Sequence, residues 1–379
     1  MPPALLLNGR KLRTPIHNLH KWLGLTFGLL FALLGLTGSL LVFYPELDLA
    51  LNPQRAVIYP SPEIPSFNRI VEALQQAEPA RRNSWRIELP RGDDSPITAR
   101  YYRPIETSHR AFAPLILTLD PATLQVTSQR FWGDDPLTWL YDLHYSLLLE
   151  KTGKTVLGIA SLLILIVLIS GLYLGWPTAG KWRSALTFKS GAVWKRRIYD
   201  LHAKAGLYGL LLLITLTATG QMLVVPGWFT PAIERFSPLK PLYQASDPAR
   251  PMEAAISADE AVRIARHRFP GAEVRWIHTP AAEHAVWRIQ MRQSGEPNRR
   301  FPRTNVWIDA LTGKILAIRD PQENSAGDTL MDWLHPLHNG EAFGLPGRIT
   351  AFICGLLPLL AFVTGFIRWR HKQRPAIRR

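Results

Sequence analysis

The chain is most informative in what it lacks. Its 379 residues include a single cysteine, Cys354. That excludes a disulfide framework, a thiolate-held iron–sulfur cluster and a haem attached through C-x-x-C-H. Charge is missing from four stretches, Trp22–Tyr44, Thr155–Trp176, Ala205–Val225 and Ile349–Ile367, each 19 to 23 residues long. About 20 apolar residues cross a bilayer, so a soluble enzyme is excluded. Acids are nearly missing from three further segments, 1–21, 178–201 and 368–379, which hold sixteen Lys and Arg and one acid, Asp200. The remainder is balanced, 28 basic against 28 acidic residues, so the net charge of +15 belongs to these short segments.

Four crossings would place all three basic segments on one side, and the positive-inside rule makes that side cytoplasmic, with both termini inside. The basic segments flank membrane spans and carry no recognition motif, so they imply a lipid bilayer and no nucleic acid. The first apolar run is longer than the ~7–15 residues of a signal peptide and no A-x-A-like site follows it, so an uncleaved anchor is expected. The expected organisation is a cytoplasmic N-terminus and first span over 1–44, a first outer module over 45–150 and a second span over 151–177. A basic cytoplasmic loop over 178–201 and a third span over 202–226 follow. A second outer module over 227–345, a fourth span over 346–369 and a basic tail over 370–379 complete it. In a bacterial inner membrane both modules would face the periplasm.

The chain repeats itself. His20 precedes Gly24 by four residues and Thr37-Gly38 by seventeen; His202 precedes Gly206 and Thr219-Gly220 by the same intervals. Trp139 stands five residues before His144 and Gly171 twenty-seven after it; Trp333 and Gly365 bracket His338 identically. Ser170-Gly171 and Thr364-Gly365 keep the hydroxyl–glycine pair. The fold class expected is therefore a membrane protein with four transmembrane α-helices in two tandem repeats, related by an axis along the membrane normal, plus two α+β modules.

Each module reads as a helix on an antiparallel sheet. In the second, Ser257 with Glu260 three residues later marks a helix start, and Pro270-Gly271 ends the helix. Strands are expected over Glu273–Thr279, Ala285–Arg292, Thr304–Asp309 and Lys314–Arg319, with a turn at Asp309–Gly313. The first module repeats this with a helix over Ser66–Ala77, strands over Ser84–Leu89, Ile97–Arg103 and Leu115–Leu119, and the turn Asp120-Pro121-Ala122-Thr123.

The chemistry points to four of the eleven histidines. His20 and His202 lie at the cytoplasmic ends of spans one and three, at equal depth; His144 and His338 lie just before spans two and four, on the other side. A haem iron takes one imidazole from each of two helices, so equal-depth pairs would make two bis-imidazole sites for two non-covalent b-type haems. Gly24 and Gly206 would let a flat macrocycle approach the backbone. Two other readings stand beside this one. Histidines at a membrane interface also serve as anchors beside Trp22, Trp139 and Trp333. Gly24, Gly28 and Gly35 are spaced as in close helix packing. His17 and His335 are the second choices as ligands. His109, His267, His278, His284 and His371 read as loop or surface residues, and Asp93-Asp94 and Asp134-Asp135 as turns. The absence of charge inside the spans speaks against an ion-coupled transporter.

The combination of His20-Lys-Trp-Leu-Gly-Leu, Thr37-Gly38, Asp200-Leu-His202, Trp333-Leu-His-Pro-Leu-His338 and Gly340-Glu-Ala-Phe-Gly344 resembles the PepSY-associated transmembrane family. The outer modules, with Asp120-Pro-Ala-Thr and Asp309-Ala-Leu-Thr-Gly, resemble PepSY modules, though Leu124 stands where the turn usually carries glycine. Some family members are iron-regulated inner-membrane proteins that hold two haem b groups and reduce ferric siderophores. The resemblance thus implies an oxidoreductase that draws electrons from a quinol or a cytoplasmic reductant and releases iron from a ferric siderophore as Fe²⁺. It would carry the haem-ligand role onto His20 with His202 and onto His144 with His338. Trp139, Trp333, His335 and Glu341 are placed to line a substrate surface. The rival readings are a non-enzymatic PepSY sensor or binding module and a siderophore permease.

Overall fold

The computed structural model describes residues 4–55, 57, 65–92, 95–243, 256–281 and 285–373, with side chains from residue 12 onward. Asp93-Asp94, His284 and the tail beyond 373 lie outside the described residues. In chain order the helices are α1 (Ala4–Val42), α2 (Tyr44–Leu51), α3 (Phe67–Ala77), α4 (Pro136–Ser146), α5 (Glu150–Gly175), α6 (Trp182–Leu186), α7 (Trp194–Val224), α8 (Thr230–Glu234), α9 (Ala258–Arg268), α10 (Ala326–His338) and α11 (Gly344–Gln373). The strands are β1 (Trp85–Glu88), β2 (Ile97–Tyr101), β3 (Leu115–Leu119), β4 (Val126–Phe131), β5 (Glu273–His278), β6 (Val286–Arg292), β7 (Thr304–Asp309) and β8 (Ile315–Arg319). The chain divides into a helical unit, residues 1–43, 140–229 and 337–379, and a sheet unit, residues 44–139 and 230–336.

Four helices in the helical unit are long and apolar enough to cross a membrane: Leu12–Val42, Glu150–Gly175, Trp194–Val224 and Glu341–Gln373. They extend past the charge-free stretches because a helix continues through charged residues that reach its polar end. α1 packs on α5 and α11, and α7 packs on the same two, which closes a four-helix bundle. In lipid such helices associate through close backbone approach at small residues. At the α1–α11 crossing a Cβ on Gly35 would run into the Gly355 carbonyl, and Ser39 donates to the Phe352 carbonyl at 2.8 Å. Gly28 packs under Phe362, whereas Gly24 has open space beside it, so glycines of one helix serve different purposes. Ile164, Leu168, Leu213 and Cys354 form the buried centre of the bundle.

Inside this unit the charge-free picture needs one correction. Asp200 and Lys204, in the first turns of α7, are 2% and 3% exposed and pair with each other at 3.4 Å. Arg196 also reaches Asp200, at 2.9 Å. Burying a charge is tolerated because each one faces an opposite charge.

In the sheet unit the two expected modules, the first with a fourth strand β4 beyond the three expected, are one continuous antiparallel sheet of order β4-β3-β2-β1-β5-β6-β7-β8. The joining pair is β1 with β5, where Ile87 opposes Ile277. Alternate residues of β1, β2, β3, β6 and β7, with Val274 and Ile277 on either side of a bulge in β5, form an apolar core with α3 and α9. The two helix starts cap each other. Asp259 accepts from the backbone N–H of Phe67 and the hydroxyl of Ser66, while Asn68 accepts from the backbone N–H of Asp259. Ser257 caps α9 through the Glu260 N–H, as its spacing predicts. Asp120 and Asp309 close equivalent turns by accepting from two following backbone N–H groups each. Gly313 in the second turn has φ +72°, and Leu124 holds the matching left-handed conformation at φ +60°.

Candidate functional site

The helical unit brings the four favoured histidines together in two pairs. The ring centroids of His20 and His202 are 6.2 Å apart, and those of His144 and His338 are also 6.2 Å apart. A metal–nitrogen bond of about 2.0–2.1 Å at each Nε2 sets facing imidazole centroids roughly 6 Å apart. The rings meet at 81° in the first pair and 44° in the second.

Each imidazole is fixed by a hydroxyl–glycine pair on a neighbouring span. His20 Nδ1 lies 3.1 Å from both the Val167 carbonyl and Ser170 Oγ on α5. His202 Nδ1 meets the Ala361 carbonyl at 2.9 Å and Thr364 Oγ1 at 3.3 Å on α11. His338 Nδ1 meets the Leu216 carbonyl at 2.9 Å and Thr219 Oγ1 at 3.2 Å on α7. His144 Nδ1 lies 2.8 Å from Thr37 Oγ1 on α1, whose own hydrogen goes to the Leu33 carbonyl at 2.9 Å. A carbonyl oxygen can only accept, and the Thr37 hydroxyl has already given its hydrogen, so Nδ1 carries the proton on all four imidazoles and Nε2 keeps its lone pair. The hydroxyls direct their own hydrogens to backbone carbonyls of the preceding turn, for example Thr37 to Leu33 and Thr219 to Thr215, and so remain acceptors toward the imidazoles.

The glycine of each pair makes room for the ring. A Cβ on Gly171 would stand 3.0 Å from His20 Cε1, and one on Gly365 3.1 Å from His202 Cε1. On Gly38 and Gly220 it would stand 2.8 Å from Cε1 of His144 and His338 respectively. Beside the first pair, Gly24 and Gly206 would meet nothing within 4 Å, which leaves open space one turn from each ligand candidate. Burial, with His338 beside it, pushes the His144 imidazole down to about 3, and burial likewise lowers His338. Both stay neutral, the form that binds a metal. Two imidazoles would hold the iron of a porphyrin, which supplies its remaining donors itself. Among the described residues no cluster of three or more His, Cys, Asp or Glu could hold a bare ion. The donor set therefore fits a non-covalent macrocycle.

Comparison with family models matches residues 17–372 to the PepSY-associated TM region. The chain belongs to the PepSY-associated transmembrane family. Among curated proteins no relative matches it.

The second-choice ligands of this PepSY-associated chain fall elsewhere. His17 is exposed on α1, and His335, on α10, sets its ring edge-on to Phe301 at 5.3 Å. Of the expected substrate-lining residues, Trp139 is 47% exposed on α4 and Trp333 is half-buried on α10. Glu341 begins a short turn in which its backbone N–H donates to Asn339. His278 is not a loop residue: it occupies the last position of β5, half-buried. Spacing alone does not disclose the acceptor role of the four hydroxyls, which lie 107 to 162 residues from the histidines they serve. The repeated intervals of seventeen and twenty-seven were the available signal.

Proposed function

We propose that this chain is a haem-dependent ferric-siderophore reductase of a bacterial inner membrane, with both termini cytoplasmic and its sheet unit, read as two PepSY modules from a tandem repeat, in the periplasm. The observation that carries this reading is the matched pair of imidazole couples, each with Nδ1 donating to a neighbouring span and Nε2 left free. Two haem b groups, when bound, supply one-electron Fe³⁺/Fe²⁺ chemistry. The chain's own residues hold and orient them: His20 with His202 on one level, His144 with His338 on the other. Seventeen residues separate His20 from Thr37, which serves the other couple, so the two levels stand about 26 Å apart along α1 at 1.5 Å per residue. That nearly spans a hydrocarbon core of about 30 Å. A quinol or a cytoplasmic reductant would supply the electrons, two per quinol, and two ferric centres would each take one. Oxygen-rich chelators hold hard Fe³⁺ strongly and Fe²⁺ less tightly, so reduction frees the metal without a proton-transfer residue.

A dithionite-minus-oxidised spectrum of the purified chain tests the reading. Two haem b per chain are expected; His20→Ala and His144→Ala should each lose one and leave the other spectrally intact. Full haem content in both variants would refute the ligand assignment. A featureless spectrum would favour a sensor, binding module or permease. Capture of Fe²⁺ from ferric siderophores by a ferrous-specific chelator should be faster with haem-loaded than with haem-free protein.

A further inference from the structure

The face of the sheet turned away from α3 and α9 carries an unusual row. Strand register sets Arg100 opposite Arg86, Arg86 opposite His278, and His278 opposite Arg288, on β2, β1, β5 and β6. Residues directly opposite across an antiparallel pair have Cβ atoms about 4.5–5.5 Å apart, and like charges there repel. A protein that had no use for this row would be expected to break it with acids. Elsewhere on the unit it does so: Arg130 pairs with Asp48 and Asp135, and Arg303 and Arg319 both pair with Asp332. Arg86, Arg100 and Arg288 have no carboxylate within ion-pair distance among the described residues. The nearby acid, Glu88, pairs instead with Arg91.

The donors of the row are held but not consumed. Arg86 lies over the Trp276 ring at 4.0 Å, and Arg288 over Trp307 at 5.2 Å. Stacking of that kind fixes a guanidinium plane and leaves its edge N–H groups free to meet a carboxylate in a two-pronged fashion. Arg86 donates one bond, to the Tyr102 hydroxyl at 3.3 Å, and Arg288 one, to Asn305 Oδ1 at 2.8 Å. The Nε of Arg86, the Nε of Arg100 and Nε2 of His278 are buried without a hydrogen-bond partner among the described residues. Arg86, His278 and Arg288 are half-buried, so solvent reaches part of each while the surroundings stay poorly screening; Arg100, at the end of the row, is buried. Burial and the neighbouring Arg86 bring Arg288 down to about 10, and burial with Arg86 and Arg288 holds His278 well below its ordinary value.

We infer that this row binds a multiply charged carboxylate ligand, and that the ferric chelate the protein handles is anionic and carboxylate-rich. The second clause rests on the reductase reading above; the first does not. The width of the row favours a chelate over a simple oxyanion. Strands lie about 4.8 Å apart, so Arg100 and Arg288, three steps apart, are separated by roughly 14 Å at their backbones. One phosphate or sulfate would have to draw both side chains inward to a single point, whereas carboxylates spread around a metal need not.

Equilibrium dialysis of the full-length protein in detergent tests this with gallium(III) chelates, which mimic ferric ones and accept no electron. Gallium citrate should bind, and a gallium trihydroxamate without free carboxylates should bind at least 10-fold more weakly. Arg86→Gln with Arg288→Gln should weaken gallium citrate by roughly 10- to 100-fold, with haem content and trihydroxamate binding unchanged. Arg86→Lys, which keeps the charge and loses the fork, should fall in between. Equal binding of both chelates, wild-type affinity in the double variant, or displacement by equimolar inorganic phosphate would overturn the proposal. Because gallium binding needs no haem, a protein that binds the chelate yet shows no haem would sink the reductase reading alone.

Discussion

At the scale of single residues, the four hydroxyl–glycine pairs matter as much as the histidines they face. An imidazole that donates from Nδ1 presents a fixed and more basic Nε2, and loss of such a partner typically costs 10- to 100-fold in metal affinity. Thr37→Val should therefore weaken haem at the His144–His338 level by about that factor, read as haem lost on dilution, while the other level is unaffected. Gly38→Val should act more severely, since even a Cβ there would stand 2.8 Å from His144 Cε1. We expect it to halve the haem per chain in a pyridine haemochromogen assay; two haems retained would show that the ring tolerates the displacement. The pairing of the histidines was legible because side chains that meet across two spans must sit at equal depth, and depth is countable along a helix. The hydroxyls stood in the same pattern, but it gave only their spacing, since a contact between separate helices leaves no mark in local sequence.

Helices and strands were legible to the degree that one face of each is apolar. β3 and β7 fall at Leu115–Leu119 and Thr304–Asp309 as their composition dictates. β4, Val126–Phe131, escaped because its side chains are exposed or half-buried throughout and do not alternate. The fusion of two modules into one sheet was also hidden: β1 and β5 pair across about 190 residues, and nothing in either strand names its partner. At the crossing of α1 and α11, a Cβ on Gly355 would sit against Ser39 Oγ and 2.8 Å from the Gly35 carbonyl. Gly355→Leu should push the two spans apart and remove haem from both levels, unlike the one-sided loss expected at Gly38. The reciprocal caps of α3 and α9 form a second test. Asp259→Ala and Asn68→Ala should each cost about 1 kcal/mol. The double variant should fall short of the sum, because the two side chains serve one junction; additive losses in denaturant unfolding would contradict a shared cap.

On the scale of the whole molecule, transmembrane electron flow needs the two imidazole levels to lie near opposite faces of the bilayer. Their separation along α1 and the equal one along α7, from His202 to Thr219, follow from helix rise alone. Direction is a separate matter, and it depends on which side holds the basic segments. Sixteen Lys and Arg fall in segments 1–21, 178–201 and 368–379, and an even number of crossings keeps these together. The chain lends itself to a direct test because its one cysteine, Cys354, is buried in the bundle at 3% exposure and should react little with a polar maleimide. Ser190, in the basic loop, and Ile105, 83% exposed in the sheet unit, are both open positions. In spheroplasts, a membrane-impermeant maleimide should label Ile105→Cys at once and Ser190→Cys only after the membrane is permeabilised. The reverse order would invert the chain, place the sheet unit in the cytoplasm and remove any role in reducing an external chelate, whatever haem the helices hold. Immediate labelling of both would mean that the four apolar helices do not enclose a barrier between those two loops.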